Sequence, residues 1–276
     1  MTITRPVVIG IDGSHDSALT FAVAEARRRG TNLRVIHCAA MPFEQMELYV
    51  SELTYREMMA EGQQVLDDTR KLVEQDAPDL LVDYELSSRA PVDVLMDESS
   101  RAGLLVLGID DLPWFERLLG GAVAGHLARH SRCPVVGVPQ PDRSGRRHEG
   151  VVVALDGDTA AQPLLQLAFE MAEDRGCTLH ALRVVSTRAE PDAVASARAN
   201  LAEVLAGWRE AFPDARVVQE VVVGEPDHAC SAATQDAEVV LVGRSAKHRL
   251  RRPVAVGVLR HARCPVGVVP LDGRDV

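Results

Sequence analysis

Aromatic residues are scarce in this 276-residue chain: two Trp, three Tyr and five Phe make up 4% of it. The cores are therefore expected to be aliphatic. Lysine is nearly absent, with only Lys71 and Lys247, so 28 of the 30 basic residues are Arg, which we read as a coding bias. The five cysteines, Cys38, Cys133, Cys177, Cys230 and Cys264, form no CxxC pair. An odd, scattered set excludes a disulfide framework and indicates reduced thiols in a cytoplasmic protein. No apolar run approaches the ~20 residues needed to span a bilayer, and the opening residues lack the pattern of an export signal; neither points to a membrane. A net charge of −10 argues against a nucleic-acid partner. The G-x-S-x-G elbow, the Walker A loop and the H-x-G-H element are all missing, which removes the commonest hydrolase and nucleotidyl-transfer machinery.

What is present is an ordinary globular composition, 46% hydrophobic and 25% charged, long enough for about two domains at roughly 150 residues each. The chain is written twice. Val7-Val8-Ile9-Gly10-Ile11-Asp12-Gly13 returns as Val151-Val152-Val153-Ala154-Leu155-Asp156-Gly157, and His130-Ser131-Arg132-Cys133-Pro134-Val135 returns as His261-Ala262-Arg263-Cys264-Pro265-Val266. Leu105-Val106-Leu107-Gly108 and Leu241-Val242-Gly243 align between them. A repeat of this length is a domain duplication, with domains expected at 1–140 and 150–276 and a polar linker at 141–149. The second copy is shorter in two places: between Gly176 and Pro226, and just after Gly243.

Each copy alternates short Val/Ile/Leu runs with amphipathic stretches. In the first, strands are expected at 6–12, 33–38, 80–86, 104–108 and 135–138, continuous enough to be buried on both faces of a parallel sheet. Helices are expected at 16–29, about 44–75, 92–101 and 121–130. Strict β-α alternation gives right-handed crossovers and a doubly wound α/β sheet, with any ligand beyond the carboxyl ends of the strands at the switch in strand order. Three loops per copy lie there: those after Asp12 and Asp156, those after Gly108 and Gly243, and the entry to the last helix at Gly120-Gly121-Ala122.

These residues resemble the universal stress protein family over nearly the whole chain, twice. The V-x-G-x-D-G-S run ending at Ser14, the strand-four Val106-Leu107-Gly108 and the Cys133-Pro134-Val135-Val136 after the last helix carry the resemblance. It implies two doubly wound five-stranded parallel-sheet domains of the adenine nucleotide alpha hydrolase type. One subgroup of the family binds ATP through G-x2-G-x9-G-[S/T] after strand four. Glycines there let backbone N–H groups close on phosphates at a helix N-terminus.

Both copies depart from that signature. In copy one Gly108 and Gly121 keep the spacing, but Asp111 stands at the second glycine with Asp110 beside it, and Ala122 replaces the hydroxyl residue ahead of Val123. Two carboxylates near a polyphosphate oppose binding by ~1 kcal/mol each at 4 Å in water; the lost hydroxyl removes ~0.5–1.5 kcal/mol. In copy two the loop after Gly243 is four residues shorter, Arg252 takes the third glycine's place, and Pro253 offers no N–H. That loop is basic, with Arg244, Lys247, Arg249, Arg251 and Arg252, so side-chain forks rather than backbone would hold an anion. The nucleoside-end positions are kept: the resemblance puts Asp12 and Asp156 at the nucleoside, and Cys38 and Val184 at the adenine. ATP or AMP are the cofactors this leaves open.

Other constellations point to structure. His126 and His130 lie one turn apart with Leu127, not Glu, after the first. Cys133 and Cys264, each before a proline, read as small buried hydrophobes. Trp114-Phe115 reads as a core plug. Apolar residues from Met46 to Leu72 are expected to face the sheet, with a methionine-bearing surface for a protein partner as the alternative. The short apolar last strands would be an aggregation hazard at an edge, and in dimers of the family this strand pairs across the two-fold axis. The resemblance thus implies an intramolecular pseudo-dimer, with a further homodimer as an extension. The leading expectation is a non-enzymatic cytoplasmic stress-response protein with degenerate nucleotide sites; the alternative is slow ATP hydrolysis in copy one.

Overall fold

Runs such as Val7–Ile11, Leu104–Ile109 and Val151–Leu155 have almost no polar side chain to give to water, so each becomes an inner strand covered on both faces. In the computed structural model, residues 5–13, 16–39, 51–109, 123–140, 149–156, 161–244 and 254–271 are described. The chain divides into two units, Met1–Gln140 and Pro141–Val276.

Unit 1 has strands β1 (Val7–Ile11), β2 (Leu33–Cys38), β3 (Val82–Ser87), β4 (Leu104–Ile109) and β5 (Val135–Pro139), all parallel, in the order β3-β2-β1-β4-β5. Its helices are α1 (Asp16–Arg28), α2 (Glu52–Asp76), α3 (Pro91–Glu98) and α4 (Val123–His130). Unit 2 repeats the plan with β6 (Val151–Leu155), β7 (Leu179–Val185), β8 (Val217–Val223), β9 (Val239–Arg244) and β10 (Val266–Pro270), in the order β8-β7-β6-β9-β10. Its helices are α5 (Gln162–Arg175), α6 (Ala193–Ala211), α7 (Pro226–Ala233) and α8 (Val254–Arg260). In each unit the order reverses beside the first strand, so the switch point lies between β1 and β4 and between β6 and β9.

Local signals place the helix ends. Ser51 caps α2, its Oγ accepting from the Thr54 N–H at 3.1 Å. Pro91 and Pro226 open α3 and α7, where a missing N–H costs nothing. Gly176 closes α5 in the left-handed region at φ 61°, and Gly30 does the same after α1 at φ 56°.

The cores depart from the aliphatic expectation in one place. Phe169 of α5 is fully buried and stacks on Trp208 of α6 and on Phe212, with ring centroids 5.6 and 5.1 Å apart. Three of the chain's ten aromatics thus meet at one helix–helix seam. In unit 1 the apolar stripe of α2 is less committed to the sheet than expected: Leu66 and Val73 are buried, but Leu53, Tyr55 and Leu72 are exposed. Residues 41–50, including Met46, and the Trp114-Phe115 pair lie outside the described residues. Among the described residues, no helix is long and apolar enough to cross a membrane.

Candidate functional site

The carboxyl ends of β1, β2 and β4 converge at the switch point of unit 1. Register pairs Gly10 with Ile36 on one side and Leu107 on the other, which carries Ile11, His37 and Gly108 into one row at the strand ends. Asp12 follows, exposed. His37 faces α2, and its Nδ1–H donates to the Ile11 carbonyl at 2.9 Å, joining the two strand ends below Asp12. Gly62 of α2 sits directly over this spot: a Cβ there would fall 2.8 Å from Leu86 Cδ1 and 3.1 Å from His37 Cδ2. Only a glycine lets the helix approach so closely. Ser17 in the first turn of α1 donates to the Pro139 carbonyl at 3.1 Å, tying that helix to the end of β5.

Alternation along β2 turns Cys38 to the opposite face. There it packs, half-buried, against a cluster that includes Leu95, Leu107 and Val123. Three sequence-predicted site residues, Cys38, Leu107 and Val123, thus meet in one apolar cluster. Burial, with the nearby Glu85 charge, pushes the Cys38 thiol up to about 11, so it is a protonated, unreactive wall at neutral pH. Gly108 is buried at the end of β4. Gly121 and Ala122 lie outside the described residues, as do Asp110 and Asp111.

Unit 2 places Asp156, exposed, and Val184, half-buried, at the corresponding strand ends. Gly243 ends its row next to Leu155 and Arg183, as Gly108 does next to Ile11 and His37. Above Gly243, however, lies a side chain: Leu271 Cδ1 is 2.8 Å from where a Cβ would stand, and the Leu271 N–H donates to the Arg244 carbonyl at 2.9 Å. The glycine accommodates the leucine side chain above it. Arg252, Pro253 and the rest of the basic loop from Lys247 lie outside the described residues.

Sequence reasoning missed His37, Arg183 and Leu271. The first two had a signal, a polar residue late in an apolar strand at the same point of both copies. Leu271 had none beyond following Pro270. Cys133, Cys230 and Cys264 are all buried, and burial pushes Cys230 to about 11 and Cys264 to about 12. His126 and His130 stand with ring centroids 4.6 Å apart, and no group of three or more metal-ligating side chains is assembled among the described residues.

A family model described as "Universal stress protein family" matches residues 4–139 and again 149–270. Universal stress protein Rv2623 of Mycobacterium tuberculosis is 30% identical over 254 residues, covering 86% of this chain and 85% of its own. Universal stress protein Rv2005c of the same organism is 30% identical over 287 residues, covering 94% and 95%. A solved universal stress protein from Archaeoglobus fulgidus superposes with a TM-score of 0.73 at 17% identity, over 96% of each chain.

Proposed function

The chain belongs to the universal stress protein family and carries its domain twice, and from that premise we propose that it is a non-enzymatic regulatory protein of the cytoplasm whose second unit has lost the triphosphate site. One observation carries this reading: Leu271 fills the space above Gly243, the strand-end glycine that would otherwise admit a phosphate. The shortened, proline-bearing loop that follows supports it, because Pro253 has no N–H for an oxygen. In unit 1, Asp110 and Asp111 would repel a polyphosphate tail. The apolar wall of Cys38, Leu107 and Val123 supports a nucleoside such as that of AMP in unit 1, beside Asp12.

A second reading, ATP binding with slow hydrolysis in unit 1, is favoured by Gly108 at the switch point with Gly121 at the family spacing. Native mass spectrometry of the full chain purified from cells, followed by ATP titration, separates the two. The proposal expects a bare or AMP-bearing mass and no ATP saturation below about millimolar; a stoichiometric ATP adduct supports the second reading. Two family domains in one polypeptide also support pairing within the chain.

A further inference from the structure

We propose that unit 2 holds an oxyanion, a carboxylate or a phosphate monoester, on Arg183 at the carboxyl edge of β7. This goes beyond the reading above and stands whether or not either unit takes ATP. The Nε and Nη1 atoms of Arg183 are out of reach of solvent and have no hydrogen-bond partner. A guanidinium carries five N–H donors and does not deprotonate in proteins, so it cannot escape burial by shedding its charge. The residue as a whole is half-buried, but buried donors of a charged group left without an acceptor are disfavoured, and a built-in acceptor is the usual solution. The described neighbours offer none in register. Leu155 and Val221, aligned with Arg183 on either side, are aliphatic. Glu220, one residue before Val221, is aligned with Leu182 and faces the opposite side of the sheet.

Position adds a second argument. Register places Arg183 where unit 1 has His37: Leu155 aligns with Arg183 as Ile11 aligns with His37. His37 gives its one Nδ1–H to the Ile11 carbonyl, whereas the unpaired donors of Arg183 sit in the same row, at the strand ends where open parallel sheets bind ligands. Asp156, one residue past Leu155, is exposed at the rim. The bound group is therefore expected to be small and compact, meeting Arg183 without lying along that carboxylate. An anion at Arg183 needs no glycine cradle and is compatible with Leu271 over Gly243.

Thermal unfolding of the full chain in sodium chloride, sodium phosphate, AMP or citrate at matched ionic strength tests this. Phosphate, AMP or citrate should raise the unfolding midpoint by about 3–8 °C at saturation, and chloride should not. R183M should lose the rise with phosphate and with citrate and, without added anion, melt no lower than the parent, because the buried donors it deletes had no partner. Should R183M fail to fold, the Arg183 Nε–H resonance of the unsubstituted chain is followed instead, and it should shift saturably with phosphate or citrate. A response to citrate alone assigns a carboxylate ligand; a response to phosphate and AMP assigns a phosphate monoester. The site is refuted if neither phosphate nor citrate differs from chloride, if the phosphate or citrate rise persists in R183M, or if the resonance does not move; an AMP rise that alone persists in R183M belongs to unit 1. ATP titration of R183M in parallel separates this site from the nucleotide reading, which predicts no change there.

Discussion

Counted back from the closing glycines Gly30 and Gly176, and from the ends of α2 and α6, Phe169, Trp208 and Phe212 of unit 2 fall where unit 1 has Val23, Val73 and Ala77, all buried. The ionic residues run the other way. In unit 1, Arg34 of β2 binds Asp83 and Glu85 of β3 and, at 3.1 Å, the buried Glu98 of α3. Unit 2 has His180, Val218, Glu220 and Ala233 at those four places. One scaffold thus closes its outer strands with an ion cluster and the other closes a helix seam with stacked rings. The register of the inner strands is the same in both, Val7 to Leu33 as Val151 to Leu179. The lesson is that the aliphatic inner strands hold the fold, so what sits around them varies.

Removing the ring at the centre of the seam should break the comparison most strongly. F169A leaves a cavity between Trp208 and Phe212 and should destabilise unit 2 by about 3–5 kcal/mol, read by urea unfolding, while V23A in unit 1 should cost about half as much. If both cost the same, the aromatic seam carries no special share of stability. R34M comes next: it deprives the buried Glu98 of a cation, leaving it the more exposed Arg101, and should destabilise unit 1 by about 3 kcal/mol. The matching H180M in unit 2 should cost well under that, because Ala233 replaces the carboxylate there. Double-mutant cycles of R34M with E98Q check that the loss is mutual.

Smaller still is G62V. A side chain there meets Leu86 and His37 at once, which should cost about 1–3 kcal/mol. The same count back from the C-cap of α6 falls on Ala197, already a buried side chain, so G62A should be worse tolerated than its counterpart is in unit 2. Hydrogen exchange at His37 and Leu86 reads the difference. The smallest effect is alkaline. The folded chain holds the thiols of Cys38, Cys230 and Cys264 above the usual value, so between about pH 9 and 11 the unfolded chain releases protons that the folded chain retains. Stability should be unaffected by these thiols below pH 8 and fall as pH rises, by at most about 1.4 kcal/mol per pH unit per thiol. C38A should flatten that fall in unit 1, and C230A in unit 2, in urea midpoints at pH 8 and 10.

Much of the fold could be read along the chain. The expected strand at 104–108 is β4, extended by Ile109, and that at 33–38 is β2 without change. At the outer strand the fit is looser: 80–86 was expected and Val82–Ser87 is found, since an edge strand with one exposed flank has a weaker apolar signature. The site was half legible. Asp12, Leu107 and Gly108 stand at the switch point because topology alone sends them there. The gathering of Cys38, Leu107 and Val123 into one cluster depends on which way each strand end faces, a one-residue matter of register.

By itself, the sequence determined the duplication, the β-α alternation and the parallel class, because continuous Val, Ile and Leu runs can only be buried between two helix layers. Tertiary structure alone decided that Leu271 covers Gly243, that Phe169 meets Trp208, and that His37 has a carbonyl to bond while Nε and Nη1 of Arg183 have none among the described residues. Those outcomes join residues far apart in the chain, and each turns on a few ångströms of approach between surfaces that no local pattern encodes.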